Sequence, residues 1–452
     1  MLALVSNMIF IRFRNLIVRL LVCLIPKSSL RKKIRTKFIK EFKIDYKKIM
    51  LFHKQQLRYK LIIKKLKEKV KKGEKCKVGF YCMYDSVFPT RTVFETMKKD
   101  SFFSPSIVVI PDILRGEENK FFQLKKTYSG LLKKYGNRYV CCAYDYKSKE
   151  FLDYSSKFDI VFFTNPYDVL TDDLYTIKKY VMNGGVAVFV SYGFMPDFYA
   201  REHLINLESL NLCWKVFVDT PENLKEFVNY TDIKGKNAIL SGYCKMDSLN
   251  FVPKKNLPRK KIIIAPHHTV NMPCLPLSNF MEYSDFFLEL PQMYPQIDFV
   301  FRPHPLLFIT LSQKELWGKE KVKKYIDKLT SYSNVEFQNG GDYFDTFVNS
   351  SAIIHDCSSF LMEYFYTGHP ACFLLRSNES IKEIFTPIGE KCLEKYYKAF
   401  NKEDIISFID NVVLLGNDPL KQDRISFAKQ ELMINYPNST GVIIETIKDK
   451  LS

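Results

Sequence analysis

The second half of the chain places polar clusters directly after three apolar runs. In a parallel sheet the carboxyl ends of the strands share one edge, and ligands bind outside that edge. Imidazoles exchange protons near neutral pH, while guanidinium and hydroxyl groups bind phosphate oxygens. The clusters therefore predict a site for a phosphorylated ligand, and they consist of His267 and His268, then Arg302 and His304, then His355, Asp356, Ser358 and Ser359.

Several of these residues have an equally good structural interpretation. Asp356 and Ser358 precede a helical stretch, where hydroxyls and free N–H groups at the positive helix end attract phosphate, but they would also serve as helix caps. Glu363 lies four residues after Ser359 and could reach ribose hydroxyls, or it could be a solvated helix carboxylate. Arg302, restrained by its flanking X-Pro bonds, could pair with a phosphate or form a structural ion pair.

Signatures of other phosphate-binding and hydrolytic sites are missing. No two aspartates stand two residues apart, so the Asp-x-Asp sign of a carboxylate-held metal is absent from the sequence. There is no GxxxxGK[ST] loop, no GxGxxG after the first apolar run and no GxSxG elbow, which disfavours kinases, dehydrogenases and esterases. We expect no metal and no cofactor. Helix ends, arginine and histidine would balance the charge of a leaving diphosphate.

Short apolar runs alternate with amphipathic stretches along most of the chain, which is typical of parallel sheets covered on both faces. Helices are predicted at Thr171–Met182 and Pro221–Tyr230. Strands are predicted at Val78–Tyr84, Ser106–Pro111, Tyr139–Ala143, Asp159–Thr164, Val186–Ser191, Trp214–Val218 and Ala238–Gly242, and then at Lys261–Pro266, Ile297–Arg302, Val335–Phe337, Ala352–His355 and Ala371–Leu375.

The two series of runs are separated by Val252–Lys261, which contains two prolines and a charge run. We predict an α/β protein in which two Rossmann-like domains face each other across a cleft. The predicted segments are a basic helical arm at 1–76, a first domain for the acceptor at 77–250, a second domain for a nucleotide donor at 258–420, and C-terminal helices at 421–452.

The net charge of +19 is concentrated at the amino terminus. Residues 1–77 hold 24 Lys and Arg against 4 Asp and Glu, and the remainder holds 44 basic against 45 acidic residues. A nucleic-acid-binding domain would carry its basic residues on the folded surface, so no nucleic-acid partner is expected. A localised basic arm suits an anionic membrane surface instead.

Residues 1–40 mix arginines with aliphatic and aromatic side chains, and the uncharged run Leu20–Pro26 has only 7 residues. A bilayer crossing needs roughly 20 apolar residues. We therefore expect a helix in the membrane interface, or a basic amphipathic helix packed on the protein itself. The eleven cysteines form no CxxC pair, which predicts reduced thiols and a peripheral location on the cytoplasmic face of the membrane.

Four segments, in this order, resemble the CDP-glycerol glycerophosphotransferase family, the teichoic-acid and capsule polymerases and primases with a GT-B fold. They are Ser241–Asp247 (SGYCKMD), Ala265–Thr269 (APHHT), Arg302–Pro305 (RPHP) and His355–Tyr364 (HDCSSFLMEY). The run Asn211–Phe217 (NLCWKVF) is also similar. The resemblance covers roughly residues 77–400 and is strongest in the second domain.

The resemblance implies that an acceptor hydroxyl attacks a CDP-linked phosphoryl group and releases CMP. A polyol phosphate, such as glycerol phosphate, would thereby be joined to a lipid-linked or growing glycan acceptor. By the same resemblance, acid–base catalysis and phosphate contact fall to His304, His267 and His268. The donor would be held by Arg302, Asp356, Ser358, Ser359 and Glu363.

The first domain departs from the family pattern. The family carries a His-Gly pair after a strand there, taken as the catalytic base, whereas this chain has Ser191-Tyr192-Gly193. The base would then come from the second domain or from Asp197, with Tyr192 and Asp197 on the acceptor side. Two alternatives stay open: a GT-B glycosyltransferase that uses a nucleotide sugar, and a non-catalytic protein that docks a capsule assembly on the membrane.

Overall fold

A computed structural model describes residues 46–85 and 88–452. The chain divides into two units, residues 1–54 and residues 55–452, and both large sheets belong to the second unit. The predicted membrane segment 1–40 lies outside the described residues. None of the helices within the described ranges combines the length and apolar character that a bilayer crossing demands.

Fifteen strands and seventeen α-helices are present in the described part of the chain. The strands are β1 (Cys76–Cys82), β2 (Phe103–Val109), β3 (Val140–Cys142), β4 (Tyr144–Asp145), β5 (Glu150–Phe151), β6 (Ile160–Phe163), β7 (Val186–Val190), β8 (Lys215–Val218), β9 (Ala238–Leu240), β10 (Lys260–Ala265), β11 (Ile297–Phe301), β12 (Val335–Phe337), β13 (Ala352–His355), β14 (Ala371–Leu374) and β15 (Tyr397–Ala399).

The α-helices are α1 (Tyr46–Lys71), α2 (Arg91–Lys99), α3 (Glu117–Tyr135), α4 (Ile177–Met182), α5 (Phe198–Ala200), α6 (Glu208–Leu212), α7 (Pro221–Tyr230), α8 (Phe280–Met293), α9 (Leu307–Leu311), α10 (Gly318–Thr330), α11 (Phe344–Val348), α12 (Ser358–Glu363), α13 (Glu379–Ile384), α14 (Pro387–Glu394), α15 (Lys402–Ser407), α16 (Lys421–Phe427) and α17 (Ser439–Leu451). Short 3₁₀ turns cover Asp168–Leu170, Asp173–Tyr175, Cys244–Phe251 and Tyr364–Thr367, and π-helical turns cover Arg201–Ile205, Phe408–Leu414 and Ala428–Leu432.

Two parallel sheets form the cores of the two domains. The first has seven strands in the order β3-β2-β1-β6-β7-β8-β9, and the second has six in the order β12-β11-β10-β13-β14-β15. Their central strands are buried on both faces, as in β7, where all five residues are buried. Continuous apolar runs therefore form these strands, because neither face meets water.

The last helix returns to the first domain. The Thr440 hydroxyl donates to the Thr92 hydroxyl on α2 at 2.7 Å, and the Lys448 ammonium lies 2.8 Å from the Asp100 carboxylate. The Asp247 carboxylate accepts the backbone N–H of Thr440 at 2.7 Å. The chain thus crosses from the second domain back to the first at its end.

The twelve strands predicted from apolar runs are confirmed to within three residues at each end. Strand β15 and the β4–β5 hairpin were not predicted, because runs of two or three residues carry no periodic signal. The helix expected at Thr171–Met182 is wrong in its first half, where a 3₁₀ turn precedes α4. The Thr176 side chain caps α4 by accepting the N–H of Lys179, so that the helix begins only there.

Candidate active site

Three histidine rings meet at the carboxyl edge of the second sheet. His267 and His268 follow β10 and His304 follows β11, and these two strands are neighbours in parallel register. The ring centroids of His268 and His304 lie 4.1 Å apart, those of His267 and His268 4.4 Å, and those of His267 and His304 5.1 Å. The loops after two adjacent strands therefore build one imidazole cluster.

Burial keeps these imidazoles neutral. Burial, with the nearby imidazoles, lowers the pKa of His267 well below its usual range. Burial lowers the pKa of His268 to about 4 and that of His304 to about 3, and the charge of Arg115 contributes to both shifts. A protonated ring would lack water and would face positive groups here. All three rings are therefore unprotonated at neutral pH.

The hydrogen bonds of two rings restrict their tautomers. The backbone N–H of Leu306 donates to His304 Nδ1 at 3.2 Å, so the neutral ring carries its proton on Nε2. His267 Nδ1 lies 2.9 Å from the Thr269 hydroxyl. His268 Nδ1 is buried and has no hydrogen-bond partner among the residues that the structure describes. The cluster thus offers one N–H donor at His304 and one uncommitted nitrogen at His268.

Asp356 anchors the loop that carries His267 and His268. Its carboxylate is fully buried and accepts the backbone N–H groups of His267 and Asn279, each at 2.6 Å. The Asn279 side-chain amide donates to the same carboxylate at 3.4 Å. Burial raises the pKa of Asp356 to about 6, although these donors oppose the shift. This differs from the expected donor contact: Asp356 positions the loop that carries His267.

The segments after β1 and β2 in the first domain carry a network of charged and polar side chains. Arg115, in the loop after β2, donates to the Tyr84 hydroxyl at 2.6 Å and lies 3.1 Å from the Asp112 carboxylate. The Tyr84 hydroxyl in turn donates to Asp112. The charge of Arg115 contributes to the lowered pKa of both His268 and His304, so this network acts on the cluster electrostatically.

Arg302 is buried and already bonded within the second domain. Its guanidinium donates to the Gln338 side chain at 2.8 Å and to the Gly341 carbonyl, and it lies 5.2 Å from the centroid of the Tyr343 ring. Only 6% of the residue is exposed. Arg302 therefore braces the loop after β12, and two of its five N–H donors are engaged within the protein.

Glu363 is likewise enclosed. The residue is 0% exposed, and its carboxylate accepts from the Lys245 ammonium at 3.1 Å and from the Tyr343 hydroxyl. The Lys245 ammonium also lies 4.9 Å from the Tyr343 ring centroid. This differs from a carboxylate free for ribose hydroxyls, because both of its oxygens have partners in the protein.

Ser358 joins the two domains. Its hydroxyl donates to Asp197 at 2.5 Å, and the same carboxylate accepts the backbone N–H of Ala200 at 2.8 Å. Ser359 also lies close to Gly193 of the first domain. A Cβ atom built on Gly193 would be 3.5 Å from the Ser359 Cβ. The Ser358 hydroxyl has one proton, which it donates to Asp197, so this proton reaches a donor phosphate only if the phosphate displaces Asp197.

The two residues expected on the acceptor side differ in their surroundings. Tyr192 is 42% exposed, while Asp197 is 3% exposed and burial raises its pKa. Beside Asp197, the Pro196 carbonyl accepts both the backbone N–H and the hydroxyl of Thr386 in the second domain, at 2.9 Å and 3.0 Å. The loop after β7 therefore contacts the second domain at both Pro196 and Asp197.

The histidine cluster is the one group within the described residues whose ligand atoms could hold a metal ion, with one nitrogen from each ring all within 4.8 Å of one another. Three imidazoles are a known zinc donor set. Two observations favour an anion instead. The ring planes of His268 and His304 are stacked, with an angle of 25° between them, so one ion cannot lie in both ring planes. The Arg115 charge also opposes a cation and attracts phosphate.

Several residues of the site were not predicted from the sequence. Arg115, Asp112 and Tyr84 come from the first domain, and Lys245 and Tyr343 enclose Glu363. The sequence PDILRG directly after the second apolar run was the available signal for Asp112 and Arg115, because it ends a strand at the ligand-binding edge. The partners of Glu363 gave no local signal.

No family model matches the chain, and no curated protein matches it in sequence. Among solved structures it is similar to the UDP-GlcNAc 2-epimerase from Neisseria meningitidis bound to UDP-GlcNAc, with 13% identity, a TM-score of 0.50, and coverage of 83% of this chain and 100% of that one. The S. aureus MnaA–UDP co-structure has 15% identity, a TM-score of 0.52, and coverage of 84% and 97%.

A variant of the wall teichoic acid polymerase TagF is similar over 83% of this chain and 89% of that one, with 11% identity and a TM-score of 0.50. At these identities the similarity establishes the fold. The chain has a GT-B-like fold of two Rossmann-like domains, as predicted.

Proposed function

We propose that the protein is a transferase that moves a polyol phosphate, such as glycerol phosphate, from a CDP-linked donor to a lipid-linked or growing glycan acceptor. The product would be a surface polymer of the teichoic-acid or capsule type. The observation that carries this proposal is the cluster of three neutral imidazoles at the sheet edge, on which the charge of Arg115 acts. Nitrogen donors and a guanidinium of this kind suit a diphosphate.

The residues divide the chemistry between them. The acceptor oxygen attacks the polyol-bearing phosphorus, and the bond from that phosphorus to the bridging oxygen breaks, so that CMP leaves. His304 Nε2–H and Arg115 would donate to the phosphate oxygens as their charge shifts toward CMP. The acceptor proton would pass to an unprotonated imidazole, and we assign this role to His268.

Ser358, Ser359 and Arg302 remain the proposed contacts of the donor phosphates, and Glu363 that of the ribose. In the described conformation Ser358 is bonded to Asp197, and both Arg302 and Glu363 have internal partners. Donor binding would therefore separate the Asp197 loop from α12 and replace internal acceptors with phosphate oxygens. The similarity to a teichoic acid polymerase in fold supports this proposal.

A second candidate is transfer or epimerisation of a sugar on a nucleotide. It is favoured by the similarity in fold to epimerase structures that contain UDP-GlcNAc or UDP. The same cleft and the same imidazole cluster would then hold a UDP-sugar, and the leaving group of a transfer would be UDP.

Nucleotide release separates the two candidates. Purified protein, with membrane-extracted lipid-linked acceptor, is incubated with CDP-glycerol and in parallel with UDP-GlcNAc. We expect CMP from the first donor. Release of UDP, or conversion of UDP-GlcNAc to its 2-epimer, with no CMP would replace the proposal by the second candidate.

Donor binding is expected to strengthen as the pH falls from about 7.5 to about 5.5. The pKa of His304 is about 3 and that of His268 about 4 in the free protein, and a bound diphosphate favours the protonated rings and so raises both values. At pH values between the pKa values of the free protein and the higher pKa values of the complex, the complex binds more protons than the free protein. A lower pH therefore favours the complex.

Calorimetric titration with CDP-glycerol, whose diphosphate does not ionise in this range, measures the effect. Titrations in two buffers of different ionisation enthalpy report the proton uptake directly. His304→Gln removes one titrating ring at nearly constant volume and should flatten the pH dependence. An affinity that does not change with pH, or that weakens on acidification, would contradict a diphosphate held by these rings.

We also propose that residues 1–76 hold the protein on the cytoplasmic face of the membrane. Removal of residues 1–40 is expected to move the protein from the membrane fraction to the soluble fraction at moderate salt, since this segment contributes ten basic residues and no acidic one. Fractionation of cells that express the full and the shortened chain tests this. Equal membrane association of both chains would refute it.

A further inference from the structure

Three large apolar side chains are exposed between the end of β2 and the first turns of α3, and we call them the apolar tip. Ile113 and Leu114, in the loop after β2, are 40% and 62% exposed, and Phe122 in the first turns of α3 is 60% exposed. These three residues are close in sequence on either side of the start of α3 at Glu117. Large apolar side chains exposed together mark interaction sites more often than scattered ones do.

The backbone at the tip is held firmly, so the exposure does not come from a loose loop. Asp112 accepts the backbone N–H of Leu114 at 3.0 Å, and the Leu170 carbonyl accepts the N–H of Ile113 at 3.0 Å. Val169, beside that second contact, is 69% exposed and adds to the apolar surface. The hydrogen bonds thus fix the loop with its apolar side chains outward.

A basic face continues from the tip along α3. Phe122, Lys126, Ser129 and Lys133 are spaced by four, three and four residues, which places them on one side of the helix. Lys125, Lys126 and Lys133 are exposed, and none of them has an ion-pair partner within the described ranges. The other lysines of the helix differ: Lys120 pairs with Glu117 and Lys134 with Glu95.

We propose that the apolar tip and the basic face of α3 together dock the first domain on an anionic lipid bilayer. Aliphatic and aromatic side chains would enter the interface while the lysines contact anionic headgroups. A second copy of the chain is a poorer partner for this surface, because a symmetric contact would bring two basic faces together. This surface is distinct from residues 1–76, and it would orient the domain that the arm holds nearby.

The position of the tip links docking to the site. Leu114 is adjacent in sequence to Arg115, whose charge acts on His268 and His304. A bilayer against the tip would therefore lie beside the mouth of the cleft, where the head group of a lipid-linked acceptor could enter without leaving the membrane. This docking concerns the lipid surface and holds whichever group the enzyme transfers.

A tryptophan placed at the tip tests the proposal in the full chain. Phe122→Trp is mixed with vesicles of phosphatidylglycerol and phosphatidylcholine that carry brominated acyl chains, which quench only an indole inside the bilayer. We expect a blue shift and quenching at this position. Leu415→Trp, at a site 77% exposed in the second domain, is the matched control and should remain unquenched. The parent chain supplies the background of Trp214 and Trp317.

The quenching distinguishes this surface from the membrane binding proposed for residues 1–76. If the protein sediments with the vesicles but Phe122→Trp is unquenched, or is quenched no more than Leu415→Trp, the arm alone makes the contact and the proposal fails. A blue shift that grows with protein concentration without vesicles would assign the surface to a second copy, which also overturns it. Neither readout depends on donor turnover, so the proposed reaction is tested separately.

Charge reversal tests the basic face by an independent route. Lys125→Glu, Lys126→Glu and Lys133→Glu together should lower vesicle partitioning of the full chain by about fivefold or more for each lysine. The control reverses three exposed lysines of α10, Lys319, Lys323 and Lys328, with the same change in net charge. Equal losses in both triple variants would mean that only net charge matters, and the assignment of this surface would be withdrawn.

Discussion

Replacement of His304 by alanine is expected to lower the rate of donor turnover by about 10²- to 10⁴-fold. The ring is stacked on His268, and its Nδ1 accepts the N–H of Leu306, so its Nε2–H is free to donate to another acceptor. Removal takes away the donor that would stabilise the leaving phosphate. His304→Gln retains an N–H donor and should recover part of the rate.

The matched control is His369→Ala, which removes a half-buried imidazole just before β14, at the amino-terminal end of the same sheet. It is expected to turn over donor like the unaltered protein. The measurement is nucleotide release in single turnover, with thermal unfolding of each variant followed in parallel. Full activity in His304→Ala with an intact fold would remove this ring from the chemistry. If such a variant also sustained polymer formation in cells, a non-catalytic docking role would gain instead.

The position of the imidazole cluster could be predicted from the sequence because its histidines directly follow strands of a parallel sheet. His267, His268 and His304 follow apolar runs, and parallel strands bring their carboxyl ends to one edge. β10 and β11 are neighbours, so the two loops had to meet. The strands themselves were predictable for a related reason, since burial on both faces demands unbroken apolar runs.

The partners of the other predicted residues could not be read in the same way. Arg302 and Glu363 are near this edge, but what each side chain contacts depends on residues distant in sequence. Lys245 is 118 positions from Glu363, and no local pattern connects them. A strand pattern predicts where a residue lies, whereas the direction of its side chain depends on long-range packing and on which buried charge needs a partner.

In the first domain, too, the sequence did not identify the residues that belong to the candidate site. The absence of a histidine after β7 directed attention to Asp197, which the structure bonds to Ser358. The charged network that acts on the cluster instead follows β1 and β2, at Tyr84, Asp112 and Arg115. Which of the loops at one sheet edge approaches the opposite domain is set by the contact between domains, and that contact has no periodicity in the sequence.

Asp356→Ala is expected to lower the free energy of unfolding by about 2–5 kcal/mol, because it leaves two backbone N–H groups, those of His267 and Asn279, buried without an acceptor. The melting temperature should fall by roughly 5–10 °C in consequence. Denaturant and thermal unfolding measure both quantities. The control is Asp327→Ala, an exposed carboxylate on α10 in the same domain, where a change of less than about 0.5 kcal/mol is expected.

Donor affinity decides between a positioning role and direct contact for Asp356. A positioning residue acts through the loop of His267, so its loss should reduce stability and donor affinity together, and Asp356→Asn, which keeps one acceptor oxygen, should lie between the two on both measures. A variant with unchanged stability and weakened donor binding would place Asp356 on the ligand instead. Because the carboxylate is fully buried and bonded to both ends of the loop after β10, we expect the imidazole geometry and the fold to fail together.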